Sequence, residues 1–295
     1  MISSLVYHAG ALGDFITTLP AMTAWRRLHP RDGVVLLGKA EHALLAPQGL
    51  FDEAWEASSS VFTPLFGRDA DVSAALTTRF RGFRSALLFS SPTSALSGNL
   101  MRLGLPDIVR QDPFPAEQVP IIDYHLSLFP GITITEEDRR PRLRCTAGAL
   151  PVAANTVALH PGSGNEKKNW PMANFQDLAR RLEEEGYLVR WILGPAEEGV
   201  GLPDRWLTWR NVPLSDLAGA LAACRLFVGN DSGIAHLAAA AGCPTLALFG
   251  VSDPGVWAPR GRAVRLVKAP RADLRTLSRE LTFSECLGFL RLETF

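Results

Sequence analysis

Two periodicities alternate along this chain: short, wholly apolar runs of strand length, and longer stretches whose apolar positions recur every three or four residues. In the first half, Ser4–His8, Val34–Leu37 and Ala86–Phe89 read as strands and Phe15–Leu28 reads as a helix. In the second half the strand candidates are Thr156–Leu159, Leu188–Leu193, Arg225–Val228 and Thr245–Phe249, with helices at Asn174–Glu185, Ser215–Ala223 and Ser232–Ala241. Strands that are apolar throughout are buried on both faces. Their alternation with helices predicts an α/β protein with parallel sheets covered by helices on each side. Right-handed crossovers then gather the loops that follow strands on one rim, the carboxyl edge, where such sheets bind ligands.

The alternation breaks over Glu136–Thr156, a charged run (Arg139-Arg140-Pro141-Arg142-Leu143-Arg144) followed by small residues, after which a fresh strand begins. This predicts two domains, 1–150 and 151–295, with a cleft between them in which a substrate can be enclosed. The final stretch, Leu274–Leu292, reads as a terminal helix or helix pair and is a candidate to pack back on the first domain. A length of 295 residues agrees with two cores rather than one.

Composition narrows the class. The chain is 47% hydrophobic and 20% charged, with thirty basic and thirty acidic residues that cancel. Such a balance offers no field for nucleic acid, and no nucleic-acid motif is present. The four cysteines, Cys145, Cys224, Cys243 and Cys286, fall in no metal-ligand spacing and fit a reducing compartment. The N-terminus lacks a basic region followed by an apolar stretch of leader length, and no run of about 18 apolar residues could span a bilayer. The expectation is a cytoplasmic protein.

The candidate chemistry sits where strands end. In Val228-Gly229-Asn230-Asp231-Ser232-Gly233-Ile234-Ala235-His236, a buried strand turns into a helix rich in small residues. The first N–H groups of that helix have no internal acceptor and sit at its positive end, which makes a site for phosphate. Asp231 or Ser232 can cap the helix, Gly233 admits a ligand close to the backbone, and His236 lies one turn on along the same face. In His160-Pro161-Gly162-Ser163-Gly164-Asn165-Glu166-Lys167-Lys168-Asn169-Trp170-Pro171, Ser163 and the Gly164 amide can donate to phosphate oxygens, and Lys168 can neutralise a leaving group. Trp170 is expected to pack against its domain.

Two further loops complete the set. In Gly194-Pro195-Ala196-Glu197-Glu198, a carboxylate can accept from ribose hydroxyls, although helix-start glutamates also occur for electrostatic reasons alone. Phe249-Gly250-Val251-Ser252-Asp253-Pro254 turns beside the Asp231 loop. The first half offers one such loop, Ala9-Gly10-Ala11-Leu12-Gly13-Asp14, whose spacing is not a dinucleotide fingerprint. Asp14 serves there either as a helix cap or as a general base. Asp69-Ala70-Asp71 fits a metal-binding D-x-D pattern, but it precedes a helical stretch, 72–80, and reads as helix capping. Arg79, Arg81, Arg84 and Arg102 are candidates for acceptor contacts, with a solvated basic face as the plainer reading.

Gly13-Asp14 with Thr17-Thr18-Leu19-Pro20, Lys168-x-Trp170-Pro171, and Asn230-Asp231-Ser232-Gly233-x-x-His236 together resemble glycosyltransferase family 9, the ADP-heptose:lipopolysaccharide heptosyltransferases. The resemblance implies a GT-B architecture, two Rossmann-like doubly wound domains facing across a cleft, and inverting transfer without a metal or cofactor. It implies Asp14 as the base, with Gly10, Leu12 and Gly13 in the acceptor-side loop. Lys168 and the Ser163–Gly164 turn would meet the departing diphosphate, and Asp231, Ser232, Gly233 and His236 would hold diphosphate and sugar. Glu197 or Glu198 would bind the nucleoside. The implied partners are a nucleoside-diphosphate sugar and a glycolipid or oligosaccharide acceptor, met at the inner face of the membrane by a monomer in peripheral contact. A sugar-nucleotide epimerase and a non-catalytic nucleotide-sugar-binding module are the alternatives. An epimerase would convert the sugar nucleotide with no acceptor present, and a binding module would turn nothing over.

Overall fold

The expected apolar strands form, and they occupy the middle of two parallel sheets. The structure is a computed structural model that describes residues 2–68, 74–146, 148 and 150–291. It divides into two compact units, Met1–Arg139 and Arg140–Phe295. In the first, the order along the chain is β1 (Ile2–His8), α1 (Leu12–Leu28), β2 (Gly33–Gly38), α2 (Ala40–Leu45), β3 (Glu53–Glu56), a 3₁₀ segment Ser60–Phe66, α3 (Ala74–Phe80), β4 (Ser85–Phe89), α4 (Leu96–Arg102), β5 (Asp107–Gln111) and α5 (Ile121–Leu126). The second runs β6 (Thr156–His160), α6 (Met172–Glu184), β7 (Leu188–Leu193), β8 (Leu207–Arg210), α7 (Leu214–Ala222), β9 (Leu226–Asn230), α8 (Gly233–Ala240), β10 (Thr245–Phe249), α9 (Pro254–Trp257), β11 (Val264–Lys268) and α10 (Arg279–Leu290).

The first sheet has the order β3-β2-β1-β4-β5 and the second β11-β10-β9-β6-β7-β8. Every described pairing is parallel. In each unit the first strand sits beside the fourth, so the winding reverses there. These are the doubly wound orders of mononucleotide-binding sheets, and the reversal opens a crevice beyond the carboxyl ends of the two central strands. In the second unit those strands are β6 and β9, whose last residues are His160 and Asn230.

Burial explains which strands carry a sequence signal. All five residues of β4, β6, β9 and β10 are buried. By contrast β3, β5, β8 and β11 lie at sheet edges and mix exposed charges with a few apolar residues. Edge strands commonly carry charge, which discourages pairing with other chains. The second core gathers Val157, Leu159, Trp170, Phe175, Trp191, Val228 and Leu248. Each such side chain contributes about 1.5–3 kcal/mol on burial.

Two features depart in detail from the sequence expectation. Helix α1 begins at Leu12 rather than Phe15, with Ala11 at its N-cap and no side-chain cap bond, so Asp14 stands in the first turn and is not the cap. The helix also continues through Pro20, whose ring supplies no N–H; nearby, the Thr17 and Thr18 hydroxyls donate to the Asp14 and Phe15 carbonyls. The unit boundary falls at Arg139/Arg140, inside the expected break over Glu136–Thr156 though ahead of residue 150. The reason lies in α7: a Cβ on Gly219 would stand 2.1 Å from the Thr146 carbonyl, so the segment after Arg140 lies directly on that helix. The terminal helix α10 buries Cys286, Phe289 and Leu290 in the core of its own unit, against α6 and β9.

Candidate functional site

The loops after β6, β7 and β9 meet at the carboxyl edge of the second sheet, tied together by buried side chains. Asn230, fully buried at the end of β9, donates from its carboxamide to the Pro161 carbonyl (2.7 Å) and accepts from the Trp170 backbone N–H (3.0 Å). It thereby fixes both ends of the loop that carries Lys168. Trp170 is buried as expected, donating from its indole to the Leu277 carbonyl and meeting Phe175 edge-on. The Lys168 ammonium reaches the Asp231 carboxylate at 2.8 Å; Asp231 is buried, whereas about a third of the lysine side chain is exposed. The cation is therefore oriented by a fixed partner and still open to a ligand. Asp231 is the lysine's anchor, since a carboxylate has no donor to offer a phosphate.

Helix α8 starts two residues later, at Gly233. Its N-cap is Ser232, whose hydroxyl accepts from the Ala235 N–H at 3.4 Å, which settles the choice between Asp231 and Ser232. The following N–H groups, of Gly233 and Ile234, belong to the helix's unsatisfied first turn. His236 is buried on this helix, and burial, more than Asp231 restores, pushes its pKa down. A neutral ring is the result.

The two glutamates separate clearly. Glu198 is exposed. Glu197 is buried, its carboxylate accepting from the Gly194 N–H at 2.8 Å and lying 3.7 Å from His160 Nε2. Burial works against ionisation of Glu197, but the His160 and Gly194 contacts outweigh it, and its pKa falls below the usual glutamate value. A Cβ on Gly162 would come within 1.7 Å of the Glu197 carboxylate, so the glycine makes its seat. The Ser163 hydroxyl is spent inside its own loop, on the Asn165 carbonyl (2.8 Å) and the Asn169 carboxamide (2.7 Å). Gly164 is exposed, and Asp253 in the β10 loop caps α9 through the Gly255 N–H.

In the first unit, Gly10 is exposed and Leu12, Gly13 and Asp14 are half-buried at the carboxyl end of β1. His8 closes that strand, and a Cβ on Gly10 would crowd both its ring (3.1 Å) and the Asp14 carboxylate (3.4 Å). Arg79 lies over the Trp55 and Phe62 rings, and Arg102 donates to the Arg68 carbonyl, while Arg81 and Arg84 are exposed. In the charged run after α5, Arg139 is held by Asp123 and Glu136. Asp69-Ala70-Asp71 lies outside the described residues. Among the described residues, no cluster of three or more His, Cys, Asp or Glu could hold a metal ion, and no helix is long and apolar enough to cross a membrane.

Sequence reasoning gave no donor-site role to Asn230, Gly162 or His160. A polar residue ending an otherwise apolar strand was the available signal for Asn230 and His160; nothing in the sequence marks a glycine whose neighbour is 35 positions away.

Comparison with known proteins agrees with this geometry. The family described as Glycosyltransferase family 9 (heptosyltransferase) matches residues 109–286. Lipopolysaccharide heptosyltransferase 1 of Pseudomonas aeruginosa is 39% identical over 124 residues, covering 40% of this chain and 34% of that protein. The aligned stretch thus spans about a third of that curated relative. The fold matches Escherichia coli ADP-heptose lipopolysaccharide heptosyltransferase II with a TM-score of 0.78 at 20% identity, covering 98% of each chain. An E. coli heptosyltransferase solved with ADP matches with a TM-score of 0.71 at 17% identity, over 98% of this chain and 100% of that one. The fold is that of the GT-B heptosyltransferases, and with the family match spanning more than half its length, the chain belongs to glycosyltransferase family 9.

Proposed function

We propose that this chain transfers a heptose from ADP-heptose to a lipopolysaccharide-core or related glycan acceptor, inverting the anomeric centre. The observation that carries the reading is the Lys168–Asp231 pair beside the open first turn of α8, on the rim where the sheet order reverses. The E. coli relative solved with ADP supports adenine as the base, and the curated relatives' names support heptose as the sugar.

In this scheme the acceptor hydroxyl attacks the anomeric carbon while Asp14 takes its proton. The bond from that carbon to the β-phosphate oxygen breaks, and its electron pair leaves with ADP. Lys168 and the α8 amides meet the charge that develops on the diphosphate. A positioned base typically contributes about 10²–10⁴ in rate, and removing one preorganised charge-stabilising donor costs about 10²–10³. These groups fill the role that a divalent metal plays elsewhere, so we assign no metal or cofactor. Glu197, rather than the exposed Glu198, reads the ribose hydroxyls. The acceptor is a glycolipid approached by peripheral contact at the inner face of the cytoplasmic membrane, and the working form is a cytoplasmic monomer.

The test is ADP release from ADP-heptose with a heptose-accepting core glycolipid. Asp14→Asn and Lys168→Ala should each lower kcat at least about 100-fold, and a chelator should leave the rate unchanged. Turnover that survives Asp14→Asn, stops in chelator, or needs no acceptor would overturn the corresponding assignment.

A further inference from the structure

We propose that His160 is a positioning residue of the donor site, bracing the nucleoside-reading carboxylate of Glu197 against the phosphate-side cap of α8. The proposal rests on the reading above, that a nucleoside diphosphate is the donor, and adds to it what links the site's two ends.

The geometry is a continuous path through buried groups. His160 ends the central strand β6 and is 4% exposed. Its Nδ1 lies 3.3 Å from the Ser232 hydroxyl, and its Nε2 lies 3.7 Å from the Glu197 carboxylate. The first is hydrogen-bond distance; the second is a close approach of ring nitrogen to carboxylate, longer than a hydrogen bond. Ser232 is in turn the N-cap of α8, and Glu197 is anchored on the Gly194 N–H. One imidazole thus touches side chains from the loops after β7 and β9, sequence neighbours of neither.

Chemistry favours this residue in that place. The Glu197 carboxylate only accepts hydrogen bonds, whereas the Ser232 hydroxyl both donates and accepts. An imidazole can accept from the Ser232 hydroxyl through Nδ1 while it turns an Nε2–H towards the Glu197 carboxylate, so one ring suits both neighbours. A buried carboxylate without such a partner faces a desolvation cost that favours protonation or withdrawal. His160 therefore keeps Glu197 ionised and seated over Gly162, where a ribose can meet it.

Two substitutions separate the two ring nitrogens. The amide of Asn stands near the place of Nδ1 and that of Gln near the place of Nε2. His160→Asn therefore keeps the Ser232 side and loses the Glu197 side, whereas His160→Gln keeps the Glu197 side. The readout is the ratio of ADP affinity to inorganic pyrophosphate affinity, which isolates the nucleoside's contribution, measured by calorimetry alongside each variant's Tm. The expected result is a ratio about tenfold lower in His160→Asn, close to that of Glu197→Gln, and within about threefold of native in His160→Gln. A merely structural role would weaken both ligands together and leave the ratio alone.

If Glu197→Gln lowers the ratio and His160→Asn does not, the positioning role is overturned while the donor reading stands. If the native protein fails to bind ADP, the donor reading itself fails and this inference falls with it; if ADP binds but Glu197→Gln leaves the ratio unchanged, Glu197 reads no nucleoside and this inference alone is overturned. Should His160→Asn fail to fold, His160→Gln decides: a ratio lowered as far as that of Glu197→Gln overturns the role, and a retained ratio supports it.

Discussion

At the scale of single residues, the donor loops are arranged by side chains that never need to touch a ligand. Asn230 satisfies two backbone groups of the Lys168 loop, and leaving such groups buried and unpaired would cost about 1–3 kcal/mol each. Gly162 works by omission. An added methyl there would overlap the Glu197 carboxylate, which is held by the Gly194 N–H and cannot simply swing aside without leaving that donor unpaired. Gly162→Ala should therefore expel the carboxylate and weaken ADP about tenfold, roughly 1.4 kcal/mol, while pyrophosphate affinity changes far less. Calorimetry with the two ligands checks this, and equal ADP binding by the variant would show that the seat over Gly162 serves no nucleoside. That Lys168, Asp231, Ser232 and His236 lie together was legible in the sequence, because a cation and a helix start are what a phosphate site would combine. The Glu197 choice was not, since neighbouring glutamates differ only in which one the turn directs inward.

Elements were legible in proportion to their burial. Strands β4, β6, β9 and β10 are wholly buried, so their composition alone marks them. The edge strand β3, Glu-Ala-Trp-Glu, buries almost nothing, and β8, Leu-Thr-Trp-Arg, buries one residue in four. Neither alternates strongly enough to be distinguished from a loop. Both are strands because the neighbour already in place offers them a parallel ladder. The start of α1 was misplaced for a related reason. Gly13 and the uncapped Ala11 argue locally for a turn, yet Leu12 to Asp14 are helical. Placing the acid in the first turn, rather than before it, sets its charge against the helix's positive end. The linker was legible as a break over Glu136–Thr156, but not its packing: small residues suggest a free segment, whereas Gly219 lets Thr146 lie on α7.

At the scale of the molecule, two doubly wound units each bury histidines at or beside the rim. Burial, aided by His42, His125 and Lys39, pushes His8 down to about 3; burial holds His42 and His125 at about 4 and lowers His236 as well. An unfolded chain binds a proton at each of these near pH 6.5. The native state does not until the pH is far lower, so the unfolded state takes up protons first and stability falls with pH. The stability is fully present above about pH 6.5 and is lost progressively towards pH 4, at up to about 1.4 kcal/mol per pH unit for each histidine. Urea unfolding between pH 7.5 and 4.5 should show that decline, and a flat profile over the range would mean that these rings are not buried neutral.

The central claim is that a nucleoside diphosphate rests on the first turn of α8 beside Lys168. The direct measurement is a calorimetric titration of ADP into the native protein and into Lys168→Ala at one ionic strength. The substitution removes the cation and leaves the buried Asp231 carboxylate unopposed next to the diphosphate. The account predicts saturable one-site binding by the native chain, weakened at least about tenfold in the variant. No saturable binding, or equal affinity in the two proteins, would contradict it.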